Sequence, residues 1–163
     1  MNAGAYGGQM CDVVEWVEFF DGKNVVFARR DQLHFSYRDS IFRRNGWVIL
    51  KVCLRLVKSD GKVVYSRMQQ VMKKRVETQP LDQPSAGSFF KRPKPDFYVG
   101  KAIEELGLKG YRIGDAQIST KHAGFIVNLG SATAKDVLTL AETIKKLVEE
   151  KFNVVLEPEV DVW

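Results

Sequence analysis

The stretch "WVILKVCLRLVKSDGKVVYSRMQQVMKKRVETQP", Trp47 to Pro80, changes its hydrophobic period halfway along. Trp47 to Lys58 reads as one long strand, in whose later part Val52, Leu54 and Leu56 alternate with Cys53, Arg55 and Val57. After Asp60-Gly61-Lys62 the pattern is helical. Met68, Val71 and Met72 fall at i, i+3 and i+4, Val76 extends the face, and a helix is predicted to about Thr78. The residues before this switch read as β and those after it as mixed. The fold class is therefore α+β, divided near residue 62 into regions 1–62 and 63–163.

Working back toward the N-terminus, "DVVEWVEFF" (Asp12–Phe20) is rich in β-branched and aromatic residues, and "DGK" (Asp21–Lys23) turns it into "NVVFARR". With the Trp47–Lys58 strand and the second "DGK" (Asp60–Lys62), this predicts an antiparallel β meander. Working forward, Pro80, Pro84, Pro93 and Pro95 punctuate a loop-rich linker, 79–95. A short helix follows, with Val99, Ile103 and Leu106 on one face and Gly107 as its stop. "YRIGDAQIS" and "AGFIVNLG" read as short strands. "ATAKDVLTLAETIKKLVEEKF" is a helix whose stripe is Val137, Leu140, Ile144, Leu147 and Val148, and "NVVLEPEVDVW" is a last strand interrupted by Pro158.

Composition bounds the partners. The 163 residues carry a net charge of +5, from 25 Lys+Arg against 20 Asp+Glu, a mild bias toward anionic ligands. The basic pairs are dispersed among acids and fit neither an RNA-recognition nor a helix-turn-helix pattern, so no nucleic-acid partner is expected. No apolar run is long enough to span a membrane, no secretory signal is visible, and a cytoplasmic location is the default. Cys11 and Cys53 lie in apolar contexts without clustered histidines, which predicts inert, buried thiols and no metal site.

Candidate chemistry is sparse. His34 and His122 are far apart, and no nucleophile elbow, dinucleotide fingerprint or P-loop is present. In "FSYRDSIF", Arg38 lies between Tyr37 and Asp39; it is either a rigidly held fork for a carboxylate or phosphate, or a surface arginine paired with Asp39. In "LDQPSAGSFFKRPKP" (Leu81–Pro95), Ser88 reads as a turn serine, part of an anion site with Lys91 and Arg92, or a proton relay. Glu157 and Glu159 of "LEPEV" share a face if the segment is extended.

Taken together, "NAGAYGG", "YRDSIF", "QPSAGSFFK", "GLKGYRIG", "KHAGFIVNLG" and "LEPEV", in this order and nearly end to end, resemble the UDP-N-acetylenolpyruvoylglucosamine reductases of bacterial cell-wall synthesis. The resemblance implies a two-stage reaction: NADPH reduces bound FAD, and the flavin then delivers hydride to the enolpyruvyl group of UDP-N-acetylglucosamine enolpyruvate. It implies that Arg38 braces the substrate carboxylate, that Ser88 donates a proton to carbon, and that Glu159 polarises the carboxylate with Arg38. It further implies substrate contacts from Tyr37, Lys91, Arg92, Lys109 and His122, and a loop near the flavin carrying Asn2 and Gly4.

Some positions depart from the family pattern. Arg92 stands where an asparagine is usual, Asp115 where a second glycine is usual, and Asp161 where an arginine is common. The Arg38–Ser88 interval resembles the type without a substrate-capping insertion. Met1 falls inside the "NAGAYG" motif, so the resemblance implies part of the flavin domain in 1–62 and the whole substrate domain in 63–163. The first flavin-binding region would then lie outside this sequence, a separate chain being one source of it, and the meander would show an unpaired edge and exposed apolar surface. A split gene, a fragment and a shortened gene are alternatives that leave the same sequence, as is a non-catalytic nucleotide-sugar-binding module.

Overall fold

A computed structural model describes residues 1–162. They fall into two compact units, Met1–Met68 and Gln69 onward. Each has its own apolar core.

In the first unit, β1 (Gly4–Ala5) and β2 (Gly8–Gln9) form a hairpin. Tyr6 and Gly7 at its tip both have positive φ, 52° and 85°, as a type I′ turn requires. Gly4 is needed for a different reason: a Cβ there would lie 3.1 Å from Gln9 Cβ and 3.2 Å from the Gly8 carbonyl. A 3-10 turn, Met10–Asp12, leads into β3 (Val14–Phe20), β4 (Val25–Arg29) and, after α1 (Ile41–Asn45), β5 (Val48–Leu54).

The sheet is antiparallel, as expected, but its order is β4-β3-β5. The third strand therefore returns to the far side of β3 instead of continuing a simple meander. The partial alternation of β3 has a structural cause. Val17 and Phe19 share a face by alternation, and the register shift between Val14 and Trp16, which leaves one extra residue on β3, lets Val14 join them in the core, where Phe42 and Trp47 pack against Phe19.

The strand predicted over 47–58 ends at Leu54, opposite Val14 at the start of β3. One further bond, Arg55 N–H to the Val13 carbonyl (2.7 Å), closes the ladder, and Leu56 and Val57 are 71% and 94% exposed. The two "DGK" tripeptides diverge here. Asp21 Oδ1 accepts the N–H groups of Lys23 and Asn24 and the chain turns back into β4. Asp60 Oδ1 accepts those of Lys62 and Val63 in the same way, but the chain continues as α2 (Gly61–Thr78), so the second tripeptide starts a helix. The α2 helix forms where its periodicity places it. Its stripe is not buried: Met68 is 63% and Met72 55% exposed. Among the described residues β5 pairs only with β3, and Val48, Ile49, Leu50, Val52 and Leu54 are exposed, as expected for an uncovered edge.

In the second unit, β6 (Ser85–Ser88), α3 (Val99–Glu105), β7 (Arg112–Ile113), β8 (Ala116–Ile118), β9 (Phe125–Asn128) and α4 (Ala134–Phe152) follow in order. The sheet runs β6-β9-β8-β7, all antiparallel. "YRIGDAQIS" is thus a hairpin of two strands turning at Gly114-Asp115, not one strand. The α4 stripe buries Leu140, Ala141, Ile144 and Val148 against Ile118, Ile126 and Leu156. Its N-terminus is closed by a capping box in which the Thr133 hydroxyl accepts the Asp136 N–H and Asp136 accepts the Thr133 N–H. Hydrogen bonds from the Thr133 backbone and hydroxyl hold the Asp136 carboxyl below its ordinary range.

Two expectations for this half change. The linker 79–95 contains β6, because Ser85 and Ser88 find partners in β9. The last segment is not a strand: it makes a single bridge, Phe90 to Pro158, flanked by Lys91 N–H to the Glu157 carbonyl (2.9 Å) and Glu159 N–H to the Phe89 carbonyl (2.8 Å). In this pairing residues 157 and 159 make the bonds, so Pro158, which has no N–H, loses none.

Candidate active site

Arg38 lies at the tip of a tight turn. Ser36 N–H donates to the Asp39 carbonyl (3.1 Å) and Asp39 N–H to the Ser36 carbonyl (3.3 Å), leaving Tyr37 and Arg38 between them. Arg38 has φ +55°, a left-handed conformation that costs a non-glycine residue roughly 1–2 kcal/mol. Such outliers concentrate at functional positions. Its guanidinium lies over the exposed Tyr37 ring, 5.1 Å from the centroid. The neighbouring carboxylate is engaged elsewhere, since Asp39 pairs with Arg44 Nε at 2.7 Å, and this bond holds its carboxyl below the ordinary range.

Ser88 ends β6, where four residues of β6 (Ser85 to Ser88) lie opposite three of β9 (Val127 to Phe125). Gly87, at φ +81°, absorbs the extra residue as a bulge. A glycine inside a strand is the signal by which sequence reasoning finds such a bulge, and the linker reading missed it. Ser88 is exposed, while Phe89 and Phe90 after it are buried. The bond from Glu159 N–H to the Phe89 carbonyl then sets Glu159 beside the residue following Ser88. Two residues 71 positions apart in sequence thus come to neighbouring backbone in the second unit. Arg38 belongs to the first unit.

The cationic candidates differ in how their charge is used. Lys91 Nζ pairs with Glu157 Oε2 at 3.1 Å, so the first glutamate of "LEPE" serves Lys91. Arg92 stacks on Tyr98, 4.6 Å from the ring centroid, and Lys101 approaches the same ring at 5.6 Å; Tyr98 is a contact the sequence reading did not single out. Lys109 Nζ bonds Glu104 Oε1 at 2.7 Å. The atypical Asp115 accepts the Ser131 N–H at 3.0 Å and so anchors the turn before α4. Cys11 and Cys53 are free and only half-buried.

His122 packs between two glycines. A Cβ at Gly124 would lie 3.0 Å from its Cε1, and one at Gly100 3.3 Å. Its Nδ1 accepts the Gly124 N–H (3.1 Å), which leaves the ring proton on Nε2, and the ring meets Phe125 edge-on. Burial lowers its pKa most and the Lys109 charge adds to this, while a backbone hydrogen bond and the Glu104 charge act in the opposite sense. We expect an NMR titration of the His122 ring to give a midpoint below about 6.5, the ordinary histidine value. Because the unfolded chain then binds the proton first, this group's contribution to stability is lost as pH falls from about 6.5 toward the folded midpoint. A midpoint at or above the ordinary value would contradict the packing described.

Asn2 is buried, and its side chain is bonded to Gln9, Cys11 and Ser36; Gly4 sets the hairpin separation. At the tip, a Cβ on Gly7 or Gly8 would meet open space, so the backbone there is accessible to an approaching group. No group of His, Cys, Asp and Glu suited to a metal ion occurs among the described residues.

Fold and side chains define an α+β protein of two units, the first carrying an arginine at positive φ on a tight turn and the second a serine at the end of a bulged strand. Residues 79–163 match the sequence model of the UDP-N-acetylenolpyruvoylglucosamine reductase C-terminal domain. The chain belongs to that family. It is 58% identical to UDP-N-acetylenolpyruvoylglucosamine reductase of Pseudothermotoga lettingae and 53% identical to that of Thermotoga maritima, over 100% of this chain and 57% of each relative. The crystal structure of the reductase from Thermus caldophilus superposes with a TM-score of 0.87 at 41% identity, covering 100% of this chain and 57% of that one. The chain thus spans little more than half the length of these relatives.

Proposed function

We propose that this chain carries the substrate-binding and proton-delivering part of a flavin-dependent reductase that converts UDP-N-acetylglucosamine enolpyruvate to UDP-N-acetylmuramate for peptidoglycan synthesis. The observation that carries the reading is the convergence of Ser88, on its Gly87 bulge, with Glu159 through the Phe89 carbonyl. Region 1–62 is read as part of the flavin-binding domain and 63–163 as the substrate domain. The region that completes the flavin domain would come from further chain or a separate polypeptide. The exposed edge of β5 and the uncovered α2 stripe are consistent with that. The reaction's substrates are small soluble nucleotides, which puts the protein in the cytoplasm. No described helix is long and apolar enough to cross a membrane.

The roles follow from the chemistry of the substrate. Hydride addition to an alkene conjugated with a carboxylate creates negative charge that spreads from carbon into that carboxylate. Arg38, fixed on its turn, offers a planar fork that donates to both carboxylate oxygens and stabilises the charge as it grows. Glu159 orients the same carboxylate. The Ser88 hydroxyl transfers its proton to the carbon, so that one hydride and one proton together saturate the double bond. Lys91, Arg92, Lys109, His122 and Tyr37 would bind the nucleotide-sugar. Bound FAD, reduced by NADPH, supplies the hydride. The hairpin fits such a group on one side: Gly7 and Gly8 leave backbone that a Cβ would not crowd, and Asn2 and Gly4 hold the hairpin in shape.

The test mixes this chain with a polypeptide covering the remaining N-terminal length of the Pseudothermotoga lettingae relative. The mixture should retain FAD through desalting, lose flavin colour with NADPH, and regain it anaerobically on addition of the enolpyruvyl substrate. Bleaching by NADPH without substrate-driven recovery would overturn the reading and leave a nucleotide-sugar-binding module.

A further inference from the structure

Asn2 is 5% exposed and has φ +49°, the left-handed region that asparagine tolerates better than other non-glycine residues. Its side chain makes three hydrogen bonds. Oδ1 accepts the Cys11 N–H at 2.9 Å, and Nδ2 donates to Gln9 Oε1 at 3.1 Å and to the Ser36 carbonyl at 3.1 Å. The Ser36 oxygen is the acceptor that closes the Arg38 turn by taking the Asp39 N–H at 3.3 Å. A carbonyl has two lone pairs, so one serves the turn and the other serves Asn2. With both its amide protons directed at protein acceptors, the Asn2 side chain has no donor left for a cofactor.

We propose that Asn2 is a positioning residue for Arg38: by gripping the Ser36 carbonyl from the N-terminal loop, it sets the direction in which the Tyr37–Arg38 turn presents the guanidinium. The catalytic consequence rests on the reading of Arg38 given above. The left-handed backbone at Arg38 makes such a grip necessary. A turn holding a non-glycine residue at positive φ relaxes unless its surroundings over-determine it; besides the turn's own two bonds and the Asp39–Arg44 pair, Asn2 adds a tie directly to the turn's backbone.

Two variants of this chain separate positioning from simple anchoring. Asn2→Asp keeps an acceptor for the Cys11 N–H but, ionised at about pH 8, has no donor for Ser36. Asn2→Gly keeps the left-handed backbone and removes every side-chain bond. By amide hydrogen exchange, Ser36 and Asp39 should exchange roughly three- to tenfold faster in both variants, the scale of one lost hydrogen bond. Cys11 should accelerate only in the glycine variant, and Val17 and Phe19 should keep wild-type protection as evidence of folding. Wild-type rates at Ser36 and Asp39 in folded Asn2→Asp would overturn the proposal. If neither variant folds, the wild-type protein decides. The Asn2 side-chain amide protons should exchange about three- to tenfold more slowly than those of exposed Asn24, and equal rates overturn it.

In the flavin-loaded mixture, Asn2→Asp should slow substrate-driven reoxidation roughly ten- to hundredfold, the cost of a misplaced group, measured against the same variant's own rate of reduction by NADPH. If Arg38→Ala slows reoxidation and Asn2→Asp does not, positioning fails. If Arg38→Ala has no effect, the reading of Arg38 fails, and the exchange rates still decide whether Asn2 holds the turn.

Discussion

Ser88→Ala is expected to leave reduction of bound flavin by NADPH unchanged and to slow reoxidation by the enolpyruvyl substrate roughly 10²–10⁴-fold, the range for removal of a positioned general acid. The two half-reactions separate because only the second needs a proton delivered to carbon. Little else should change: Ser88 is exposed, and its strand position depends on the Gly87 bulge and on Phe89 N–H donating to the Gly124 carbonyl at 3.0 Å, both of which alanine preserves. Stopped-flow absorbance of the flavin under anaerobic conditions measures both steps. Ser88→Cys, which keeps an acidic proton at the same place, should recover part of the rate. Normal reoxidation in the alanine variant would remove Ser88 from the proton-donor role.

Leu156→Ala should destabilise the second unit by about 2–5 kcal/mol, the usual cost of deleting a buried leucine side chain and leaving a cavity. Leu156 is 1% exposed and packs in the core with α4. Its importance goes beyond the cavity. Residues 153–162 have no regular secondary structure, and the segment is held by the Phe90–Pro158 bridge, its two flanking hydrogen bonds and the burial of Leu156. Loosening it should displace Glu159 and weaken substrate-driven reoxidation under conditions where the protein is still folded. Urea titration gives the stability change, and the flavin assay the functional one. A loss below about 1 kcal/mol with unaltered reoxidation would show that the tail is pinned by something other than this leucine.

The stripe of α4 was readable because a helix is encoded by near neighbours, and Leu140, Ile144 and Val148 lie on one face whatever the rest of the chain does. Arg38, Ser88 and Glu159 stood out as candidates in short runs, but the local pattern left each with a plain surface or turn reading, and only the resemblance of the motifs to the family singled them out. The purpose of Gly87 was less legible: in a proline-punctuated stretch it looks like a turn glycine, and becomes a bulge only once β9 lies beside it. The α2 periodicity was equally clear, yet its stripe stays exposed in the described chain, because periodicity specifies which face is apolar and not what covers it.

The two "DGK" tripeptides mark the boundary most clearly. Aspartate accepts the same pair of following N–H groups in both, a local preference the sequence carries by itself. Whether the chain then returns as a strand or proceeds as a helix depends on what it can pair with and bury. The sequence by itself determined the α+β class, the long helices, the hairpin turn at Asp21–Lys23 and the short motifs that mark the family. Only the tertiary structure decided that β5 pairs with β3, that Phe89 and Lys91 pair with residues near the C-terminus to place Glu159, and that Asn2 grips the turn carrying Arg38. Those contacts join residues tens of positions apart. Their selection depends on closing long loops around a shared core, a free energy to which no local window of sequence has access.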